Sequence, residues 1–123
     1  MKVKESEEMY LETLLLLKEE KQNVRSVDVV EKLGYAKSSV SRGINLLEDN
    51  GYIVINRESG VINFTNEGRE KAKEVYEKHQ VFTKLFMYVG ADKSVAEDNA
   101  CRVEHVISHD MFELIKEFID KNK

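Results

Sequence analysis

Between Ser26 and Thr65 the hydrophobic period changes once, from helical to alternating, and this change limits the chain to a small set of folds. Ser26 reads as the N-cap of a short helix, Val27–Leu33, with Val29, Val30 and Leu33 turned inward. Gly34 ends it, as a residue in the left-handed region would. Ala36 and Lys37 lead into a serine-rich helix, Ser38–Asn50, whose inward stripe is Val40, Ile44 and Leu47, and Gly51 stops it. From Tyr52 to Asn56 the period is two, Arg57–Gly60 reads as a turn, and Val61–Thr65 as the returning strand.

Two short helices joined by a glycine-containing turn and followed by a hairpin form a winged helix-turn-helix pattern. Helix Glu5–Lys21 precedes it, with Met9, Leu11, Leu14, Leu15 and Leu17 on a broad apolar face. Gln22–Arg25 reads as a loop. Thr65 is a good N-cap for a long helix, Asn66–Val89, which Gly90-Ala91-Asp92 breaks. Two more helices are expected, Ser94–Ile107 and Asp110–Lys121, with Ser108 as a cap between them. The chain contains no proline, so glycine and polar clusters make all the breaks. The fold class is therefore mainly α, a winged head over residues 1–65 followed by a helical domain over 66–123.

The longest apolar run, Leu14–Leu17, is far short of the ~18 residues that a membrane-spanning helix needs. The charged segment Met1–Glu8 does not read as a secretory signal, so a cytoplasmic location without a membrane partner is expected. The single cysteine cannot close an internal disulfide. The formal net charge is −4, which by itself argues against nucleic acid, but its distribution is uneven. Lys37 and Arg42 lie between Leu33 and Leu47 without any acid, whereas Glu5, Glu7, Glu8, Glu12, Glu97, Asp98 and Glu104 fall elsewhere. A basic face for DNA with carboxylates for a cation fits this pattern, and so does a mixed-charge solvated surface.

The second helix of the pair carries Lys37, Ser38, Ser39, Ser41 and Arg42 near its N-terminal end. Hydroxyls and cations bond phosphates, and an arginine reaches a guanine edge. Arg57, at the hairpin tip, would lie along the backbone or in the minor groove as the wing. A winged helix used for protein contacts is the competing reading.

The sharpest chemistry is in Cys101, Glu104 and His105, which share one face of the expected helix Ser94–Ile107 at i, i+3 and i+4. A thiolate, a carboxylate and an imidazole make half of a transition-metal site. A buried cysteine beside a solvated Glu–His pair would give the same spacing. Met9 and Glu12 share a face of the first helix, and the long helix offers His79, although, taken alone, core packing accounts better for Met9 and a surface or capped position better for His79.

Along its length the chain resembles the diphtheria toxin repressor family of iron- and manganese-dependent regulators. The matching segments are Glu8-Met9-Tyr10-Leu11, Ser38-Ser39-Val40-Ser41, Phe64-Thr65 followed by Gly68, Lys78-His79, and Cys101-Arg102-Val103-Glu104-His105-Val106. The resemblance implies a winged head for a double-stranded operator and a helical metal-binding and dimerisation domain. It implies a primary metal site of Met9, Cys101, Glu104 and His105, and a second site that includes His79. Glu12 matches a ligand of the manganese branch, and Glu97 stands where some members have a histidine. Thr83 occupies the position of a second-site glutamate. The chain stops at Lys123, so it resembles the shorter two-domain branch without the SH3-like domain.

Thiolate and thioether ligands rank Fe(II) ahead of Mn(II), with Co(II), Ni(II) or Zn(II) able to substitute in vitro. Met111, Leu114, Ile115, Phe118 and Ile119, with Phe82, Leu85, Phe86 and Val89, offer more apolar surface than one helix pair buries, and a twofold homodimer is the expected sink. A metal shared by Met9 and the Cys101–His105 segment would set the spacing of two recognition helices at about 34 Å. The function implied is metal-dependent repression of transcription in metal homeostasis. A winged-helix regulator answering to an organic ligand, or to none, is the alternative. An enzyme built on Cys101 and His105 is not expected, because no glycine-rich turn near Cys101 offers an oxyanion site.

Overall fold

The computed structural model describes residues 3–122, with side chains from Ser6 onward. Residues 1, 2 and 123, which the expected domain spans include, and the side chain of Glu5 lie outside the described residues. The elements are α1 (Val3–Glu20), α2 (Ser26–Leu33), α3 (Lys37–Asp49), β1 (Ile53–Ile55), β2 (Ile62–Phe64), α4 (Asn66–Tyr88), α5 (Lys93–Val103) and α6 (His109–Lys121). They fall into two compact units, Met1–Lys73 and Glu74–Lys123.

In the first unit the inward stripes converge on one core. Leu11, Leu14 and Leu17 of α1 are buried with Val29 of α2, Val40, Ile44 and Leu47 of α3, Ile53 of β1 and Ile62 of β2. Each such side chain contributes about 1.5–3 kcal/mol of transfer free energy. β1 and β2 are antiparallel, with Ile53 opposite Phe64 and Ile55 opposite Ile62. Ile53 and Ile62 point into the core while Val54 and Asn63 face water, as the alternation requires. Val24, expected in a loop, is fully buried, and its carbonyl accepts the amide of Ile62 at 2.8 Å. That bond covers part of the outer edge of β2, which a two-stranded ribbon would leave open.

The cap of α2 differs from the expectation. Arg25 is the N-cap, Ser26 is the first helical residue, and the Asp28 carboxylate accepts the Arg25 amide at 2.8 Å. Lys21 Nζ lies 2.8 Å from the same carboxylate, and the two bonds hold Asp28 below the usual carboxylate range. Thr65 caps α4 as expected: its hydroxyl oxygen accepts the Gly68 amide at 3.0 Å. The Thr65 hydroxyl also lies within bonding reach of the carbonyls of Gly51 and Tyr52, so one side chain ties the hairpin to α4. Gly68 is required there, because a Cβ would stand 1.8 Å from the Tyr52 carbonyl oxygen.

In the second unit Val81, Phe82, Ala100 and Phe112 form a small core, flanked by Leu85, Phe86, Val103, Ile107 and Ile115. Asp92 caps α5 by accepting the Val95 amide, and Ser108 caps α6 by accepting that of Met111. Helix α5 ends at Val103, four residues before the expected end at Ile107. The Val106 amide turns back to the Val103 carbonyl at 3.1 Å, and the chain must then reach the Ser108 cap. The apolar set expected to meet a partner is divided. Phe82 and Ile119 are buried inside the unit, and Met111, Leu114, Phe118 and Val89 are exposed. Phe112, absent from that set, takes the inner position, its ring 6.1 Å from that of Phe82.

Candidate metal centre and nucleic-acid interface

Helix α3 is set on α1 by its buried stripe and by a close approach at Gly43. A Cβ at Gly43 would lie 2.1 Å from the ring of Tyr10, so glycine lets the aromatic ring lie flush against the helix. The Tyr10 hydroxyl donates to the Ser39 carbonyl at 3.4 Å. Burial raises the Tyr10 pKa, the neighbouring Tyr35 adds to this, and Arg42 opposes it. With the inner side occupied, Lys37, Ser38, Ser41 and Arg42 are exposed and Ser39 is half-buried. The two cations and the exposed hydroxyls therefore occupy the outer side of the N-terminal half of α3, where phosphates and base edges would be met.

The wing turn is built by Asn56, expected as the last residue of a strand. Its side-chain oxygen accepts the amides of Glu58 at 2.9 Å and Ser59 at 3.0 Å, and its carbonyl accepts that of Gly60 at 2.7 Å. Gly60 has φ +76°, a conformation that favours glycine. Arg57 is exposed at this turn and pairs with Glu48 of α3 at 2.5 Å.

In the second unit three of the expected donors meet. Ala100 is fully buried in the cluster with Val81 and Phe82, and its small side chain allows the end of α5 to approach α4. Glu104 follows one turn later as the C-cap residue and is 0 % exposed. One carboxylate oxygen lies 2.8 Å from His79 Nδ1 on α4, and the other lies 3.2 Å from His105 Nε2. A buried carboxylate costs several kcal/mol unless it is paired, and here an imidazole faces each oxygen. Thr83, at the position of a family glutamate, donates its hydroxyl to the His79 carbonyl at 2.8 Å and so serves its own helix.

Cys101 is not brought to this group: it is exposed on α5 while Glu104 is buried. The early end of α5 places Glu104 and His105 in the turn beyond the helix, so the single helical face expected for the three residues is not formed in full. Glu97 is exposed and lies 3.9 Å from Lys93. Met9 is half-buried against the core of the first unit, and its sulfur accepts the Tyr35 hydroxyl at 3.4 Å. Glu12, on the same helix, is also half-buried. Glu8, part of the Glu-Met-Tyr-Leu segment, is buried 3.7 Å from Lys71.

A buried carboxylate with two imidazoles is the nitrogen–oxygen donor chemistry that first-row divalent metals take, and the other unit of the chain has the winged helix-turn-helix pattern. The comparisons agree with that class. The iron dependent repressor N-terminal DNA binding domain matches residues 2–61, and the iron dependent repressor metal binding and dimerisation domain matches residues 65–123. An uncharacterized HTH-type transcriptional regulator of Methanocaldococcus jannaschii is 31 % identical over 122 residues, covering 97 % of this chain and 96 % of the relative. The chain belongs to the iron-dependent repressor family, whose members are transcriptional regulators.

The HTH-type transcriptional regulator MntR of Shouchella clausii is 29 % identical over 114 residues, covering 93 % of this chain and 79 % of that protein. Among solved structures, a manganese-dependent transcriptional repressor in complex with manganese superposes with a TM-score of 0.82 at 22 % identity. That match covers 93 % of this chain and 52 % of the other, so this chain spans about half the length of that structure, and the likeness concerns the fold. Among the described residues no helix is long and apolar enough to cross a membrane.

Proposed function

We propose that this chain is a homodimeric transcriptional repressor that binds its DNA operator when a divalent first-row metal, Fe(II) or Mn(II), occupies a site built on Glu104 and His105. The observation that carries this reading is the fully buried Glu104 carboxylate, with an imidazole nitrogen 2.8 Å from one oxygen and another 3.2 Å from the other. His79, Glu104 and His105 would hold the metal, and the bound cation would supply the positive charge that offsets the buried carboxylate. Met9, Glu12 and Cys101 are the further donors that the family resemblance implies, and Glu97 is a more distant candidate. Thiolate and thioether ligands favour Fe(II) over Mn(II). An exposed Cys101 and a Met9 sulfur bonded to Tyr35 weaken that preference, and a nitrogen–oxygen set accommodates Mn(II) equally.

Lys37, Ser38, Ser39, Ser41 and Arg42 of α3 and Arg57 of the wing are the proposed DNA contacts. Leu114 and Phe118 on α6, with Tyr88 and Val89 at the end of α4, supply an exposed apolar surface for a second copy of the chain. The test is an anaerobic titration of metal-free protein with Fe(II) and with Mn(II), followed by fluorescence anisotropy on a duplex selected from a random pool. Metal should tighten DNA binding by at least tenfold, and chelation should reverse it. Equal affinity with and without metal at one salt concentration would reject the switch.

A further inference from the structure

We infer that Glu48 is a positioning residue for DNA binding: it holds the Arg57 guanidinium in a DNA-ready orientation at the wing. The inference rests on the DNA-binding reading of the head. Glu48 stands near the C-terminal end of α3, and one of its oxygens accepts the backbone amide of Ile55, the last residue of β1, at 3.1 Å. Its other oxygen takes the Arg57 guanidinium at 2.5 Å. The carboxylate is thus anchored to the strand on one side and holds the turn's cation on the other. The Glu48 side chain is 22 % exposed and that of Arg57 73 % exposed. Across the turn, Arg25 Nε donates to the Ser59 carbonyl at 2.8 Å, so the wing is braced from α2 as well as from α3.

Exposed arginine–carboxylate pairs add little to stability, so the fold gains little from this one. The consequence for DNA is larger. A free arginine on a hairpin turn must lose much rotamer freedom when it meets a phosphate. The pair with Glu48 restricts that freedom in advance, and of the five N–H donors of a guanidinium it uses one. Without Arg57, the Glu48 charge would face the phosphates uncompensated. Glu48 therefore favours DNA binding only while Arg57 is present, and opposes it otherwise.

This sign relation is measured by a double-mutant cycle on the metal-loaded full chain, with Glu48→Gln, Arg57→Gln and the pair. The probe is a duplex selected from a random pool by the wild-type chain. Glutamine retains an acceptor for the Ile55 amide and removes the charge that holds Arg57. Each single variant should lose about three- to tenfold in affinity, and the double variant should bind no more weakly than Arg57→Gln alone. Arg57→Gln should lower the slope of log affinity against log salt by about 0.9 in the wild-type background, and by less beside Glu48→Gln. Melting temperatures of all three should stay near that of the wild type. Glu48→Ala, which removes both bonds, should reproduce the loss if Glu48→Gln folds poorly. Tighter binding by either Glu48 variant, or costs that simply add in the double variant, would overturn the assignment. Failure of the wild-type chain to select any duplex would remove the DNA-binding reading and this inference together.

Discussion

The two units are stabilised by different means. In the first, every element contributes an apolar side chain to one core, and the buried polar side chains have local partners, Thr13 the Met9 carbonyl and Glu8 the ammonium of Lys71. In the second, a cluster of four buried residues with partly buried neighbours forms the core, the fully buried carboxylate faces two imidazoles where Glu8 of the first unit faces a lysine, and several large apolar residues face water. Leu114 is 61 % exposed and Val89 73 % exposed, on a unit that encloses the Glu104 charge. The first unit has the composition of a self-sufficient small fold. On the function proposed above, the second is completed by a cation and by a second copy of itself. The general lesson is that a sensor domain keeps its stability conditional, because a ligand shifts an equilibrium only by what it adds to one state.

The comparison can be broken most directly in the first core. Leu14→Ala should cost about 2–5 kcal/mol in urea unfolding, by the same amount with and without Mn(II), because the loss is packing in the head. Glu104→Ala should weaken metal binding about 100-fold, or about 2.7 kcal/mol, measured by competition with a fluorescent chelator. It should also abolish the rise in melting temperature on adding metal, while leaving the metal-free melt near that of the wild type. A metal-dependent loss in Leu14→Ala, or a full thermal response in Glu104→Ala, would erase the contrast between the units.

Leu114→Glu with Phe118→Glu tests the apolar surface. Sedimentation velocity should show monomer for the double variant at concentrations where the wild type is a dimer, with the far-UV spectrum unchanged. The smallest expected effect is at the cap of α2. Asp28→Asn should cost about 1 kcal/mol at neutral pH. The Lys21 pair and the Arg25 amide lower the Asp28 pKa in the folded chain, so the folded state binds fewer protons there than the unfolded state. The carboxylate's contribution is present above the ordinary carboxylate range and is lost as pH falls through the lowered value. The gap in urea midpoint between variant and wild type should therefore close on acidification, and a gap independent of pH would assign the cap to another group.

Much of the head was legible because its signals are local. The stripe Val40, Ile44, Leu47, the alternation on either side of Arg57–Gly60 and the Thr65 cap each act within a few residues, and the structure contains all of them. Local sequence is a weaker guide to a cap where two side chains compete for it. Ser26 has the better N-cap side chain, but the Asp28 carboxylate, held also by Lys21, takes the amide of Arg25 and moves the helix start. Asn56 looked like a strand residue, since alternation alone cannot reveal an asparagine that folds its side chain over the following amides. The site was legible in part. His79, Glu104 and His105 are all candidate donors by residue type, but no spacing in the chain reveals that His79 Nδ1 lies 2.8 Å from the Glu104 carboxylate.

The amino-acid sequence by itself determined the order and type of the elements, the winged head and the residue types able to hold a metal, because periodicity, caps and turns are set by near neighbours in the chain. Tertiary structure alone decided that Glu104 meets His79 across 25 residues, that Cys101 stays in water, that Phe112 rather than Met111 turns inward, and that Glu48 holds Arg57. The first three depend on where α5 stops and on which helix faces a small alanine brings close, and the last on how α3 packs beside the hairpin. Packing among distant segments sets all of these, and no local pattern encodes them.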